Sequence, residues 1–293
     1  MLFEEGELAG WAYRTLLPHA GSVEACDPKL NAWIARGSRK SDPVDARKLA
    51  ELRMLGSYSP VYHPAEDGLA NLKIAVQHYD QVTRGVTRLK NQIKARLRQQ
   101  GVIVTGSKAY GLKGREEAIA KVPSEAIGEI VRQDFRMLDE YLKERARAYS
   151  LVSRLSKGYE GTGSLKEVPG VGVISAARFV AYVGTPHRFD KRGIWQFSRL
   201  GVVKRESDGS PLGREHLDRA GSGAMKALSR TVFNGAMATR GPNGIRRFYE
   251  SSLRRTGNET HARLNTQRKI LALMLALWRD GTRYSDDLVT GGA

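Results

Sequence analysis

Residues 68–100 constrain the fold more than any other part of the sequence. Their apolar members recur every three or four positions with polar residues between them, which predicts one long amphipathic helix. The apolar positions are Leu69, Leu72, Val76, Tyr79, Val82, Val86, Leu89, Ile93 and Leu97. A second helix of the same kind is predicted over residues 127–155, after a Gly- and Lys-rich break at residues 101–115. Two such helices in succession predict an antiparallel helical hairpin or a coiled coil.

The residues before this hairpin have the pattern of an α/β fold. The chain begins with the end of a strand, followed by a helix over about residues 7–17 and a strand around residues 22–25. Parallel strands are normally flanked by further strands and covered on both faces. We therefore expect one of two things. Either the natural protein has further strands upstream of Met1 that pair with these, or the N-terminal part is only weakly packed.

The residues after the hairpin differ in composition. A Gly-rich joint at residues 157–164 leads into a third part, which closes with a helix over residues 259–279 whose apolar stripe is typical of a core-facing helix. The predicted fold class is α/β plus all-α. The predicted domains are an α/β fragment at residues 1–65, a long helical insertion at 66–156 and a mostly helical C-terminal domain at 157–293.

The charge of the chain points to a polyanionic partner. Lys and Arg number 48 against 31 Asp and Glu, which gives a net charge of +17. Such an excess favours DNA or RNA, although a merely basic protein would show it too. The exposed faces of the long helices contribute Arg84, Arg88, Lys90, Lys94, Arg96 and Arg98.

The single cysteine, Cys26, excludes an internal disulfide and a Cys-cluster zinc site, and it is most simply a small buried side chain. The longest apolar run, residues 270–278, is too short to span a bilayer, and no leader with an apolar h-region opens the chain. We therefore expect a protein of the cytoplasm or the nucleoid, with no membrane partner.

Two aspartates mark the start of a predicted helix in the segment KSDPVDARKLAEL. Asp42 precedes Pro43, and Asp45 follows three residues later, which is the spacing of an N-cap with an acidic residue in the first turn. The same spacing places two carboxylates at the positive end of a helix, where they can bind a divalent metal ion if a third acid approaches. Glu4 at the end of the first strand is the candidate third acid, and Glu5 is the alternative.

The segment LKEVPGVGVISAARFVAYVG, residues 165–184, has the pattern of a helix-hairpin-helix element. In such an element Gly170 and Gly172 let the backbone approach a phosphate, and the following helix N-terminus donates N–H groups to it. An ordinary helix–turn–helix corner in a core would read the same way.

Two serines lie on a polar turn within KRESDGSPLGRE. Ser207 or Ser210, on a Gly-containing turn among cations, is a candidate nucleophile for phosphoryl transfer, whereas the more frequent outcome for such a segment is a solvated loop. The cations expected to bind nucleic acid around this turn are Lys204, Arg205, Arg214, Arg219 and Lys226.

In their order, these segments resemble one known family. A strand ending in Glu, CDPKLNAWIARGSRKSDPVDARKLAEL, a helical insertion, VPGVGVISAARFVAYVG and a Gly/Ser turn followed by LDRAGSGAMK are similar to the DEDD-type insertion-sequence transposases, now known as bridge-RNA-guided recombinases. The resemblance covers nearly the whole chain, and its most specific part is the K-S-D-x-x-D-A-R-K-L-A block.

The resemblance implies a resolvase-like RNase H fold at the N-terminus and a serine-bearing transposase domain at the C-terminus. It makes Glu4, Asp42 and Asp45 the second, third and fourth acids of a tetrad that binds a divalent metal such as Mg²⁺. Ser207, or else Ser210, would attack the scissile phosphate and form a covalent serine–DNA intermediate. The implied partners are DNA, a guide RNA and further copies of the chain, as a dimer or tetramer.

The sequence departs from the family pattern in two places. The first acid of the family precedes the glutamate on an earlier strand, for which this sequence has no residues, so we expect either a start upstream of Met1 or a truncated remnant. The serine motif is also loosely matched, because Asp208 separates Ser207 from Gly209. The alternatives to an active recombinase are an inactive remnant that only binds nucleic acid and a metal-dependent junction nuclease.

Overall fold

The computed structural model describes residues 1–28, 41–204, 206–208, 210–211, 213 and 215–290. The contacts divide the chain into two compact units at residues 71 and 72. The first unit contains β1 (Leu2–Glu4), α1 (Ala9–Leu16), β2 (Glu24–Cys26), α2 (Asp42–Leu55), β3 (Pro60–Val61) and the start of α3 (Asp67–Gln99). The second unit contains the rest of α3 followed by α4 (Leu112–Ile119), α5 (Glu125–Ser156), α6 (Gly161–Leu165), α7 (Val173–Val183), α8 (Lys191–Phe197), β4 (Val202–Val203), β5 (Glu206–Ser207), β6 (Ser210–Pro211), β7 (His216–Leu217), α9 (Gly223–Ala238), α10 (Gly244–Thr256), α11 (Glu259–Asp280) and α12 (Asp287–Thr290).

The first unit is built on a small mixed sheet with the strand order β1-β2-β3. β1 and β2 are parallel and in register, with Glu4 opposite Cys26, and α1 lies between them in the chain. β3 pairs with β2 in the antiparallel direction. α2 covers the sheet with Leu49 and Leu52, which pack in a cluster around the fully buried Cys26. The prediction that Cys26 is a small buried side chain is thus confirmed.

The long helices α3 and α5 pack against each other as an antiparallel pair. The rings of Tyr79 and Tyr149 are 6.4 Å apart, and Arg96 hydrogen-bonds Asp134. Residue numbers therefore rise along α3 in the direction in which they fall along α5. The apolar stripe of each helix is buried in the seam between them. The buried residues of this core are Val86, Leu89, Ile93, Leu97, Val102, Ala118, Ile119, Val131, Phe135 and Leu138.

The C-terminal part of the second unit is built around α11, which contacts α6, α8, α9, α10 and α12. Its core-facing side chains are almost completely buried: Ile270, Leu271, Met274, Leu275 and Leu277. Near its C-terminal end, the indole of Trp278 meets the ring of Phe179 edge-on at 6.2 Å and leaves no room for a side chain at Gly161.

The structure confirms the predicted order of an α/β beginning and a largely helical remainder. The long periodic segments form helices within two residues of the predicted ends. Among the described residues, none of the helices combines the length and apolarity that a membrane span requires. The three-part domain division and the RNase H-like identity of the sheet stay predictions.

Candidate active site

The direction of α2 follows from the contacts of its C-terminal half. Arg53 donates a hydrogen bond of 3.0 Å to the carbonyl of Met1, and its Nη1 lies 3.7 Å from Glu24 Oε1, at the amino ends of β1 and β2. Asp45 precedes Arg53 by about 12 Å along the helix, because an α-helix rises roughly 1.5 Å per residue. Since α2 packs on the sheet, its first turn is directed toward the carboxyl ends of the strands, where Glu4 lies.

Asp42 and Asp45 both lie on the first turn of α2, but neither is its N-cap. The N-cap is Ser41, whose backbone is extended and whose side chain makes no capping hydrogen bond. Asp42 is already helical, and the amide of Asp45 donates to the Ser41 carbonyl at 3.0 Å. The capping interpretation of Asp42 is therefore wrong, because its backbone has entered the helix one residue earlier than the Asp-Pro sequence suggests. Both carboxylates remain at the positive end of the helix.

The two candidate glutamates at the end of the first strand have different surroundings. Glu5 is held by His63, whose Nε2 lies 2.7 Å from Glu5 Oε2. Glu4 is exposed, and its carboxylate makes no hydrogen bond or ion pair within the described part of the chain. Glu4 is thus the one of the two with both oxygens available to a ligand.

The chemistry of these side chains fits a divalent metal ion in part. Asp45 Oδ1 is buried and accepts no hydrogen bond from a described residue, and Lys48 Nζ of the same helix is 4.0 Å away. Hard ions such as Mg²⁺ take carboxylate oxygens as ligands, often one or two from the protein with the rest from water and substrate phosphate. Within the part of the chain that the structure describes, no three His, Cys, Asp or Glu side chains are close enough together to hold a metal ion. The acids therefore lie on neighbouring elements without forming a complete protein cage.

Both candidate serines lie on one hairpin. β5 and β6 pair in the antiparallel direction with Ser207 directly opposite Ser210, and both serines are exposed. Asp208 has a φ of 51°, the left-handed conformation that two-residue hairpin loops favour. This hairpin is nested inside the pairing of β4 with β7. The polar turn predicted from the sequence is thus a short β-ribbon with two hydroxyls side by side near its tip.

The cations predicted around the serines differ in availability. Lys204 Nζ is 2.7 Å from Glu215 Oε1 across the base of the hairpin, and the hydrogen bond with Glu215 raises the pKa of Lys204. Arg219 is exposed, and Lys226 is half-buried in the first turn of α9. Arg205 and Arg214 lie outside the described residues. For all five cations, a role in binding nucleic acid stays a prediction.

The two glycines of the predicted helix-hairpin-helix element serve different structural needs. Gly170 has a φ of 85°, and a Cβ there would lie 2.3 Å from the carbonyl oxygen of Val232 in α9. Gly172, the N-cap of α7, is exposed, and a Cβ there would meet nothing within 4 Å. The close approach at Gly170 is therefore between two backbones of this chain, and only the backbone at Gly172 has open space beside it.

Residues 11–101 match a family model described as a transposase, of the DEDD type found in IS110 elements. This segment is therefore similar to the N-terminal domain of the DEDD transposases of IS110 elements. Over 151 residues the chain is also 26% identical to a 43.6 kDa protein of insertion element IS110 from Streptomyces coelicolor, described as uncharacterized. That alignment covers 51% of this chain and 36% of the relative, so the chain spans about a third of the relative's length.

The DEDD transposase segment includes α1, β2, α2, β3 and α3. Asp42 and Asp45 therefore fall inside it, whereas Glu4 precedes it and Ser207 follows it. The match thus covers the positions of the two aspartates and neither Glu4 nor Ser207.

One feature beside the serine hairpin escaped the sequence analysis. Arg268 of α11 is half-buried against Trp195 of α8 and makes no ion pair with a described carboxylate. From the sequence, Arg268 reads as one of many solvent-facing cations on a helix. Only the packing of α8 on α11, which joins residues far apart in the chain, reveals its burial.

Proposed function

We propose that this chain is a transposase that cuts and rejoins DNA strands of an insertion sequence through a serine nucleophile assisted by a divalent metal ion. The observation that carries the proposal is that the transposase match includes Asp42 and Asp45 on the first turn of a helix directed toward the carboxyl edge of the sheet. An RNase H-like fold for the first unit accords with that arrangement and is part of the proposal. The exposed serine pair of the hairpin supports the choice of nucleophile.

In this mechanism each candidate residue has a defined task. Glu4, Asp42 and Asp45 would hold Mg²⁺, which when bound neutralises charge that develops on the phosphate. The hydroxyl oxygen of Ser207 forms a bond to phosphorus, and the bond from phosphorus to a sugar oxygen breaks. The hydroxyl proton passes to a base, and the released sugar oxygen gains a proton. Rejoining reverses these steps with a second DNA end.

The acids and the serines belong to different units of the chain, and we propose that a homo-oligomer, a dimer or a tetramer, combines them across protomers. We further propose a guide RNA as the component that selects the DNA. The net charge of +17 supports binding of both nucleic acids without distinguishing them. A phosphate contact at Gly172, on the exposed side of the helix-hairpin-helix segment, is part of the same proposal.

The first test is the formation of a covalent adduct between the protein and DNA from the ends of its element, in the presence of Mg²⁺ and the element's transcript. Ser207→Ala should abolish the adduct, since it removes the attacking oxygen, whereas Ser210→Ala should retain it. Asp42→Asn should lose at least about tenfold in adduct formation, with unchanged helicity by circular dichroism.

The outcomes separate the competing functions. Full adduct formation in both serine variants would refute the serine mechanism. Cleavage without an adduct would indicate a junction nuclease that uses water, and salt-sensitive binding without cleavage would indicate a remnant that only binds nucleic acid. Mixing Ser207→Ala with Asp42→Asn protomers should restore adducts if the site is shared between protomers, and a failure of this mixture alone would remove only the shared site.

A further inference from the structure

A cavity of about 460 Å³ lies at the base of the hairpin that carries the two serines. One wall is formed by β4 and β7 and the other by the end of α10 and the first half of α11. The side chains that line the cavity are mostly polar. The polar members are Glu215, His216, Thr256, His261, Asn265 and Arg268.

Arg268 is the strongest feature of this cavity. Its Nε donates a hydrogen bond of 2.8 Å to the carbonyl of Leu200, and its Cζ lies 5.9 Å from the centre of the Trp195 ring. Its two Nη groups donate no hydrogen bond to a described residue. Burial lowers the pKa of Arg268, and no carboxylate offsets the effect. A half-buried guanidinium with unused donors is costly by itself and is stabilised when an anion binds to it.

The other polar groups differ in what they offer an anion. His216 Nδ1 lies 3.1 Å from the carbonyl of Leu217, which can only accept, so the proton of the neutral ring is on Nδ1 and its Nε2 is an acceptor. The side chain of His261 makes no hydrogen bond to a described residue. The one carboxylate of the lining, Glu215, is paired with Lys204 at 2.7 Å. Arg268 and His261 therefore keep side-chain donors that make no hydrogen bond to a described residue.

We propose that this cavity binds a phosphate of a single nucleic-acid strand, with Arg268 as the principal ligand and His261 as a second donor. Phosphate suits the planar pair of Nη groups, which can donate to two oxygens at once. The position at the base of the hairpin would anchor a strand close to Ser207 and Ser210. The inference rests on the proposed function in one respect, which is that the strand is the DNA on which a serine acts.

The experiment measures binding of a short fluorescein-labelled oligothymidylate to the full chain by anisotropy over a range of salt concentrations. Arg268→Gln should weaken binding about tenfold, the value of one charge-assisted contact. It should also reduce the slope of log K against log salt by about 0.7, the value of one lost phosphate contact on a single strand. Arg279→Gln is the matched control, because it removes the same charge from the same helix outside the cavity.

A second variant guards against a simple loss of folding, since Arg268 also holds Leu200 and Trp195. His261→Ala removes an exposed side chain without such contacts and should weaken binding by about threefold with an unchanged melting temperature. The proposal is overturned if both variants bind like Arg279→Gln. It is also overturned if thymidine monophosphate binds and loses affinity in Arg268→Gln while the oligothymidylate does not, which would indicate a site for free nucleotides.

This binding assay involves no cleavage, so its result is independent of the serine chemistry. Protein that forms no serine–DNA adduct but depends on Arg268 for binding would keep the phosphate site and remove the proposed reaction. Protein that forms adducts but binds equally well without Arg268 would keep the reaction and remove the phosphate site.

Discussion

At the scale of single residues, ion pairs decide which acids remain available for chemistry. Glu5 is engaged by His63, whereas Glu4 has no partner within the described part of the chain. Asp45 keeps one buried oxygen without a hydrogen bond on the first turn of α2. Glu4 and Asp45 thus each keep a carboxylate oxygen that accepts no hydrogen bond from a described residue.

A different acid gives a prediction about pH. Arg115 donates two hydrogen bonds to Asp139, of 2.6 and 2.7 Å, and these lower the pKa of Asp139. A lowered pKa in the folded state stabilises the protein above the unfolded value of about 4, and the contribution is lost as the pH falls through the lowered pKa. The carboxylate is 42% exposed, so we expect no more than about 1 kcal/mol.

Asp139→Asn should therefore lower the free energy of unfolding in urea at neutral pH, and the difference from wild type should shrink as the pH falls below about 4. Glu129→Gln is the control, because Glu129 is an exposed carboxylate of the same helix without an ion pair among the described residues. A difference that stays constant down to the lowest pH would show that the Arg115 pair contributes nothing.

At the scale of elements, the turn before α7 depends on one close backbone approach. Gly170 has a left-handed φ and lies against Gly235 of α9, where a Cβ on either residue would come within 3 Å of the other segment. Neither backbone can move aside as a flexible side chain could. The pairing of these two glycines therefore fixes the distance between the turn and α9.

Gly170→Ala should destabilise the protein by about 2 kcal/mol or more, through both the strained φ and the clash. Gly172→Ala should change the stability by no more than about 1 kcal/mol, since its backbone is extended and a Cβ there meets open space. Thermal unfolding of the two variants checks this order. Equal losses would contradict the assignment of Gly170 to packing.

The same elements show what the sequence could predict. The long helices α3 and α5 were predictable because their cores repeat with the helical period over many turns. The N-cap of α2 was not predictable from the sequence. Ser and Asp can both cap a helix, and only the structure shows that Ser41 stays extended while Asp42 is helical. The hairpin that carries Asp208 has a known turn sequence, Asp-Gly, but its strands are too short and polar to show the alternation that identifies strands.

At the scale of the whole molecule, one ion pair joins the helical hairpin to the C-terminal helices of the second unit. Arg178 of α7 is almost fully buried and hydrogen-bonds Asp80 of α3 through Nη2, while its Nε is buried without a partner. A buried guanidinium in such a place depends on its one carboxylate.

Asp80→Ala should therefore cost about 3–5 kcal/mol, because it leaves a buried charge unpaired. Arg178→Met should cost less than about 2 kcal/mol, because it fills similar space without charge and leaves Asp80, with a side chain 22% exposed, near water. Urea unfolding measures both, and faster tryptic cleavage at Lys157 in Asp80→Ala would localise the loss to the joint between these parts. The reverse order of stability would contradict this account.

The cross-strand pair of Ser207 and Ser210 also makes the hairpin open to reversible chemical locking. Directly opposed residues of an antiparallel pair have Cα atoms about 4.5–5.5 Å apart, within the range that a disulfide spans. Cys26, the single native cysteine, is fully buried and would compete poorly for oxidation. In a chain with Ser207→Cys and Ser210→Cys, an oxidant should therefore form a disulfide across the hairpin and a reductant should break it. The ease of oxidation would report the strand register in solution.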